Sequence, residues 1–548
     1  MDSVIGKTSR SLSSSLRLNL SISKKKRLDL STASINKALP KPPTLEASDA
    51  VPAGDCSPRE VPDDVIYEIV KWLPLQDVLH CALMRRSLYE LCRPFLYGSV
   101  NLSYSEACRS GLEYFSRRRD LARFIKSLTL RPNVGAGWSN KAEKVIDEEW
   151  IISVVEELAL DGSLASLRAF YWFGRLNPPD SLWLVLRNHC PDLRYIGLRV
   201  TISVGLTELL HPQTLHFRNL KGFHLTTQIL DRGFVLIPRN RSLPPGLWTM
   251  LLENSPNLEE LTLDGACLSD ELWQLDPVLH GRWPSLRKFA IGHISAFDSA
   301  SSSLPQKVAD FLDAHYYSLE DMSLIGNATY TELSIPKFLS MPNMHTWKGR
   351  LAHLTHAGPE CRLRNLYLTD WFSPSAKIGD LLKNLPHLEL LSVFVNFVDT
   401  VPEWDFYEQL LTGCPQLKHL EISSTSHLSL INFSAALRLV PNLQTFTVTR
   451  CRKFSNMGLT GGSLTGGAAL IASQNLNLSQ ITIRDVSNWE HHDQLSGVYK
   501  TKRIGTFYIV GGGPGFPNQL IGREFGVNPL GQRFSRSLVH ALVLPTPQ

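Results

Sequence analysis

The chain contains no run of about eighteen apolar residues, which excludes a conventional membrane-spanning helix. No apolar core of signal-peptide type follows Met1. None of the nine cysteines stands in a C-x-x-C pair, and an odd, scattered set argues against both a disulfide framework and a zinc site. The expectation is therefore reduced, mostly buried thiols in an intracellular protein, cytoplasmic or nuclear. Matches to N-x-S/T at Asn101, Asn327, Asn432 and Asn477 then carry no weight. Net charge is also small, because 56 Lys+Arg against 51 Asp+Glu gives +5 in 548 residues. Residues 1 to 60 hold 10 basic and 6 acidic groups, so the remaining 488 carry only +1. A body this close to neutral lacks the basic face that a duplex requires, and no nucleic-acid or membrane partner is expected.

Catalytic signatures are missing as well. G-x-S-x-G, P-loop, H-E-x-x-H and kinase motifs are all incomplete. Gly461-Gly462-Ser463 and Gly466-Gly467 lack the strand-turn-helix setting of a nucleophile elbow. Gly511-Gly512-Gly513-Pro514-Gly515 follows a plausible strand at 506–510, yet no helix start or lysine follows to cradle a phosphate. His491-His492 has no third or fourth ligand at metal spacing. No catalytic residue, cofactor or metal site is assigned, and the chain is not expected to be an enzyme.

What is present begins with residues 1–58, which lack every aromatic type and are rich in Ser, Lys and Pro, the composition of a disordered tail. Lys24-Lys25-Lys26-Arg27 within it is a compact basic cluster of the kind that addresses a chain to the nucleus. At Val61 the texture changes. Val61, Val65, Ile69 and Trp72/Leu73 recur at helical spacing, Asp63 and Asp64 suit a helix N-terminus, and Pro74 marks its end. A second helix is expected over about 76–86 and a third around 88–92, closed by Pro94. Three helices in so few residues make a very small core and leave apolar surface over.

These residues resemble the F-box, the module that docks substrate receptors onto the Skp adaptor of SCF ubiquitin ligases. Val61-Pro62 takes the place of the usual Leu-Pro opening, Val65, Ile69 and Leu73 the ladder of the first helix, Asp77-Val78-Leu79 the start of the second, and Met84 a later apolar contact. Cys92-Arg93-Pro94-Phe95-Leu96-Tyr97 resembles the ending frequent in fungal members, while Leu88 stands where many members carry a Trp. The resemblance implies adaptor contacts at Val61, Pro62, Val65, Ile69, Leu73, Val78, Leu79, Met84 and Leu88, with a cullin and a RING subunit joined through the adaptor.

Downstream, one pattern recurs. L-x-x-L-x-L appears twelve times, at Ile125/Leu128/Leu130, Leu167/Phe170/Trp172, Leu193/Ile196/Leu198 and onward to Leu478/Ile481/Ile483, with a weak thirteenth copy at Met344/Trp347. Six copies carry Pro two residues ahead of the first Leu, as in Cys190-Pro191-Asp192-Leu193, read here as an extended entry into the strand. Helical stretches such as 181–188, 247–254 and 404–411 lie between, so each unit is a strand plus a helix. The array resembles the irregular leucine-rich repeats of fungal F-box proteins. The implied fold is α/β, an N-terminal three-helix F-box followed by a curved leucine-rich-repeat solenoid. Its boundaries are a tail at 1–58, the F-box at 59–100, a linker at 101–122, the solenoid at 123–510 and a Gly-rich segment at 511–548.

The third, fifth and seventh positions of each copy point away from the core, toward the concavity. There Tyr171, Phe173, Tyr195 and Arg199 are the expected target-binding group, with Tyr171 and Tyr195 at like positions forming a strip. The function implied is that of a substrate-recognition subunit. The rival reading is an interaction scaffold whose F-box-like segment does not assemble with a cullin.

Overall fold

The computed structural model of the chain describes residues 61–133, 146–202, 210–229, 243–265, 276–291, 304–324, 341–351, 360–369, 377–395, 403–424, 430–450, 464–475, 477–486, 501–510 and 519–543, the last apart from 525, 528–532 and 535–539. The tail at 1–58 with Lys24 to Arg27, Gly461-Gly462-Ser463, His491-His492 and Gly511 to Gly515 all lie outside these residues. The chain divides into a unit Met1–Val61, of which Val61 alone is described, and a unit Pro62–Gln548.

The second unit opens with three helices, α1 (Asp63–Trp72), α2 (Leu75–Met84) and α3 (Arg86–Leu96). Asp63 and Asp64 occupy the first turn of α1, where the helix dipole favours carboxylates. Leu73 ends that helix with ψ 144°, the extended conformation a following proline imposes, and Pro74 then serves as the N-cap of α2. Pro94 does not close the third helix as expected, since α3 runs through it to Leu96. The proline forfeits the bond an N–H at 94 would have made, yet the chain stays helical for two more residues and the Tyr97 N–H reaches the Arg93 carbonyl at 3.0 Å. Val70, Val78, Ala82 and Cys92 form the small core of these helices, flanked by half-buried groups that include Ile66, Leu73, Tyr89 and Phe95.

A long parallel sheet follows, flanked by helices. Its strands are β1 (Ser99–Leu102), β2 (Ser127–Leu130), β3 (Ala169–Trp172), β4 (Tyr195–Ile202), β5 (Gly222–Ile229), β6 (Glu260–Gly265), β7 (Lys288–Ile291), β8 (Asp321–Leu324), β9 (Thr346–Gly349), β10 (Asn365–Leu368), β11 (Leu390–Val395), β12 (His419–Ser424), β13 (Thr445–Arg450) and β14 (Gln480–Val486). Each pairs in parallel with the next. The architecture is α/β and of leucine-rich-repeat type. Each of the twelve sequence copies is one strand, and the weak thirteenth is β9. That copy lacks its last apolar residue for a spatial reason. A Cβ on Gly349 would meet the Trp347 indole at 2.6 Å, so the indole itself fills the place of the missing side chain.

The apolar pair of each strand points into one continuous core, as Leu128 and Leu130, Phe170 and Trp172, and Ile196 and Leu198 illustrate. The proline before a strand does not sit in an extended entry. The Leu193 N–H bonds back to the Cys190 carbonyl at 3.0 Å, and the same turn recurs at Leu286, Leu388, Leu417 and Leu443. Proline is thus the second residue of a four-residue turn, where its fixed φ is favoured.

Two boundaries differ from the sequence reading. The stretch 101–122 holds the end of β1 and a helix Ser105–Arg117, and buries Cys108, Leu112, Phe115, Leu121 and Ala122 in the repeat core. It escapes the L-x-x-L-x-L pattern because β1 supplies only Val100 and Leu102, with no leucine three residues earlier. At the far end, Thr501–Val510, Gln519–Glu524 and His540–Val543 join the sheet antiparallel beyond β14.

Candidate functional site

Two surfaces carry the residues singled out by sequence. The first lies on α1 and α2. Ile69 is 53% exposed and Trp72 81%, while Leu83 and Met84 are each 76% exposed. Val65, Leu75 and Leu79 are exposed beside them. The reason is geometric. Val65, Ile69 and Trp72 share one stripe of α1 and Leu75, Leu79 and Leu83 one stripe of α2, whereas Ile66, Val70 and Leu73 occupy the stripe turned to the core. Both sides of α1 are therefore apolar, but only one is covered.

Among the expected contacts, Pro62, Val65, Ile69, Leu79 and Met84 are exposed, and Leu73 and Leu88 are half-buried. Val61, which belongs to the first unit, is itself 51% exposed. Val78 departs from the set. At 2% exposed it is a core residue of the helices and presents nothing to a partner. Trp72, Leu75 and Leu83 are exposed residues the motif comparison did not name, although the i, i+4 spacing of Leu75, Leu79 and Leu83 marks them as one stripe.

The second surface is the sheet face turned away from the core, at β2 to β6. Here the register corrects the expected strip. Tyr171 lies opposite Gly197, and Tyr195 lies opposite Ala169. The two tyrosines thus belong to different rows, two residues apart along the strands. Each ring covers a glycine of the next strand, because a Cβ on Gly197 would meet Tyr171 Cδ1 at 2.2 Å and one on Gly222 would meet Tyr195 Cδ1 at 2.3 Å. The Tyr195 hydroxyl donates to Glu259 Oε2 at 2.9 Å, and Lys221 Nζ donates to the same carboxylate at 2.6 Å. Burial, followed by that bond to Glu259, raises the Tyr195 pKa. Burial and then Glu260 push the Tyr171 phenol up to about 12.

Reading like positions in register gives two further rows. One runs Thr129, Tyr171, Gly197, His224, Thr262 across β2 to β6. The other continues one step beyond the strand core, with Arg131, Phe173, Arg199, Thr226 and Asp264. Phe173 is nearly buried, at 9% exposed, and its ring is the centre of a cluster. Tyr171 lies parallel to it with centroids 6.4 Å apart, and His224 meets it edge-on at 5.5 Å. Arg131 and Arg199 place their guanidinium carbons 4.9 and 5.6 Å from its centroid, within cation–π reach. Tyr171, Phe173 and Arg199 are brought together, and Tyr195 is not in ring contact with them. Sequence reading missed Arg131 and His224. Extending the seventh and fifth positions of the pattern to the first copy and to β5 would have found both.

Among the described residues no three His, Cys, Asp or Glu side chains converge as a metal site, and no helix is long and apolar enough to cross a membrane.

No family model matches the chain, and no curated protein matches it. Among solved structures it is similar to a chain in the crystal structure of the Rad7 and Elc1 complex in yeast, with 12% identity and a TM-score of 0.36 over 73% of this chain and 94% of that one.

Proposed function

We propose that this chain is a non-catalytic substrate receptor of an SCF-type ubiquitin ligase. The three helices dock on a Skp-type adaptor, and through it on a cullin and a RING subunit, while the repeat array holds a target protein. The observation that carries this reading is the uncovered apolar face of α1 and α2, headed by Ile69, Trp72, Leu83 and Met84. Contiguous exposed groups of this size, with a tryptophan among them, are the composition of an interface rather than of a solvated helix. The F-box resemblance of residues 61–97 supplies the kind of partner.

Such a receptor accelerates transfer by proximity alone, holding target lysines near a charged enzyme, so no acid, base or nucleophile is required of it. The test is purification of the full chain from its native cells. Recovery of a Skp-type adaptor together with a cullin supports the receptor. Recovery of the adaptor without any cullin favours the scaffold, and recovery of neither overturns the docking assignment.

A further inference from the structure

The residue that follows the first leucine of each repeat stands at the entry of its strand, and these residues form one row along the rim of the sheet. Along the row each N–H donates to the carbonyl of the preceding member at 2.7 to 2.9 Å, from Arg168 on Lys126 to Ser479 on Gln444. From Lys221 onward carboxylates are interleaved with the bases. Lys221 pairs with Glu259 at 2.6 Å, Arg287 with Glu320 at 2.7 Å and Lys418 with Glu389 at 3.2 Å. The first members, Lys126, Arg168 and Arg194, are all basic, and among the described residues none of them makes an ion pair. Like charges on adjacent strands repel. Arg194 Nη1 donates to the Pro191 and Leu193 carbonyls at 2.8 and 2.9 Å, which satisfies the donor and leaves the charge.

Beside Arg194 the same rim holds a cavity of about 480 Å³, lined by Arg187, Arg194, His216 and Arg218 among others, and no carboxylate lines it. A second cavity farther along the rim, lined by Arg362, Arg364 and Lys418 among others, includes Glu389, which pairs with Lys418. Arg118 and Arg119, ahead of β2, are matched as well, by Asp120 and by Glu157 and Asp161. Asp192 and Glu253 adjoin the first cavity in sequence; both are exposed, and neither pairs with its bases. Lys126, Arg168, Arg187, Arg194 and Arg218 outnumber these two acids, so positive charge is in excess at this end of the rim.

We propose that this end of the rim, from Lys126 to Arg218, binds an acidic segment of a partner protein, one that carries several Asp or Glu within a few residues. Adjacent strands lie about 4.8 Å apart, so Lys126, Arg168 and Arg194 span about 10 Å, the reach of three or four extended residues. Bases set in a line match several carboxylates on one chain better than a single ion, and each guanidinium fork can take a carboxylate in two bonds. A nucleic-acid strand is disfavoured, because Glu259 and Glu320 follow in the same row and would meet its phosphates. Complementary charge of this kind also speeds encounter. The site is separate from the exposed face of α1 and α2 and stands whether or not that face holds an adaptor.

The experiment is fluorescence anisotropy on the full chain with three labelled probes. These are a short peptide of alternating Asp and Glu, the same peptide with Asn and Gln, and an oligothymidine of equal charge. The acidic peptide is expected to bind, more weakly as salt rises, and to bind tighter than the oligothymidine, while the neutral peptide does not bind. Lys126→Gln/Arg168→Gln/Arg194→Gln weakens acidic-peptide binding about tenfold or more, with melting unchanged, since this row already holds a glutamine at 444. Lys126→Gln/Arg168→Gln, which leaves the Arg194 hydrogen bonds in place, weakens it about threefold or more. Arg364→Gln makes the same change of charge at an exposed position of the same row, many Debye lengths of rim away, and leaves binding within about twofold.

Failure of the acidic peptide to bind overturns the proposal. So does a triple variant that binds like the unmodified chain, which would move the binding to another basic segment such as Lys24 to Arg27. Equal weakening by Arg364→Gln would show a response to net charge alone, and tighter binding of the oligothymidine would make this a nucleic-acid surface; each overturns it. No readout involves the adaptor, so failure here leaves the docking of α1 and α2 standing.

Discussion

The three helices and the strand array solve the same problem of burying leucine-rich sequence in opposite ways. In the array each strand packs its inward side chains against those of its neighbours, and the core runs unbroken from Val100 to Ile483. In the helices only Val70, Val78, Ala82 and Cys92 are buried, while a larger number of large apolar side chains, among them Val65, Ile69, Trp72, Leu75, Leu79, Leu83 and Met84, face solvent. The difference follows from geometry. A repeat covers its neighbour on both sides, whereas three short helices enclose too little volume to cover all their own faces. The array covers its own apolar faces, and the helices leave one of theirs exposed.

The sharpest way to break this contrast is to remove a large group from the array. Phe170 is fully buried and packs edge-on against Trp183 at 5.9 Å, so Phe170→Ala should cost about 3 to 5 kcal/mol, read as a lower midpoint in denaturant unfolding. Val78→Ala should cost about 2 kcal/mol, and the loss should be local. Hydrogen exchange should quicken in 63–96 and stay unchanged in the strands. Equal exchange in both regions would show that they unfold as one.

A third test uses pH. The depressed pKa of His224 means that the unfolded chain binds its proton more readily than the folded one. The stabilisation from neutral His224 is therefore full above its ordinary value near 6.5 and is lost as pH falls toward about 4. Between pH 7 and pH 5 the melting temperature of the unmodified chain should fall further than that of His224→Gln. Smallest of all, Lys288→Ala removes an exposed ion pair to Glu260 at 2.7 Å and should change stability by less than about 1 kcal/mol. A larger effect would mean that the outward charges of the sheet contribute to the array's stability.

Much of the fold was legible because its signal is periodic. L-x-x-L-x-L gives strand, spacing and inward face together, and each copy so identified is a strand. What escaped were features that depend on a neighbour. β1 carries only half the pattern. Gly349 reads as a gap until the Trp347 indole is seen to occupy it. The offset between Tyr171 and Tyr195, by contrast, needed no neighbour, since counting from Leu167 and Leu193 puts them at the fifth and third positions, and the pairing of Tyr171 with Gly197 accordingly places the two rings in different rows. On α1, sequence marks apolar residues at 65, 66, 69, 70, 72 and 73 without saying which stripe is covered. The second and third helices decide that, by taking Ile66, Val70 and Leu73.

The measurement that bears most directly on the central claim is calorimetric titration of a purified Skp-type adaptor into the full chain and into Ile69→Ala/Trp72→Ala. Both side chains are exposed, so the double variant should melt within about 0.5 kcal/mol of the unmodified protein while its adaptor affinity falls by about tenfold or more. Equal adaptor binding by the two proteins, with melting unchanged, would contradict the assignment of this face as the docking surface.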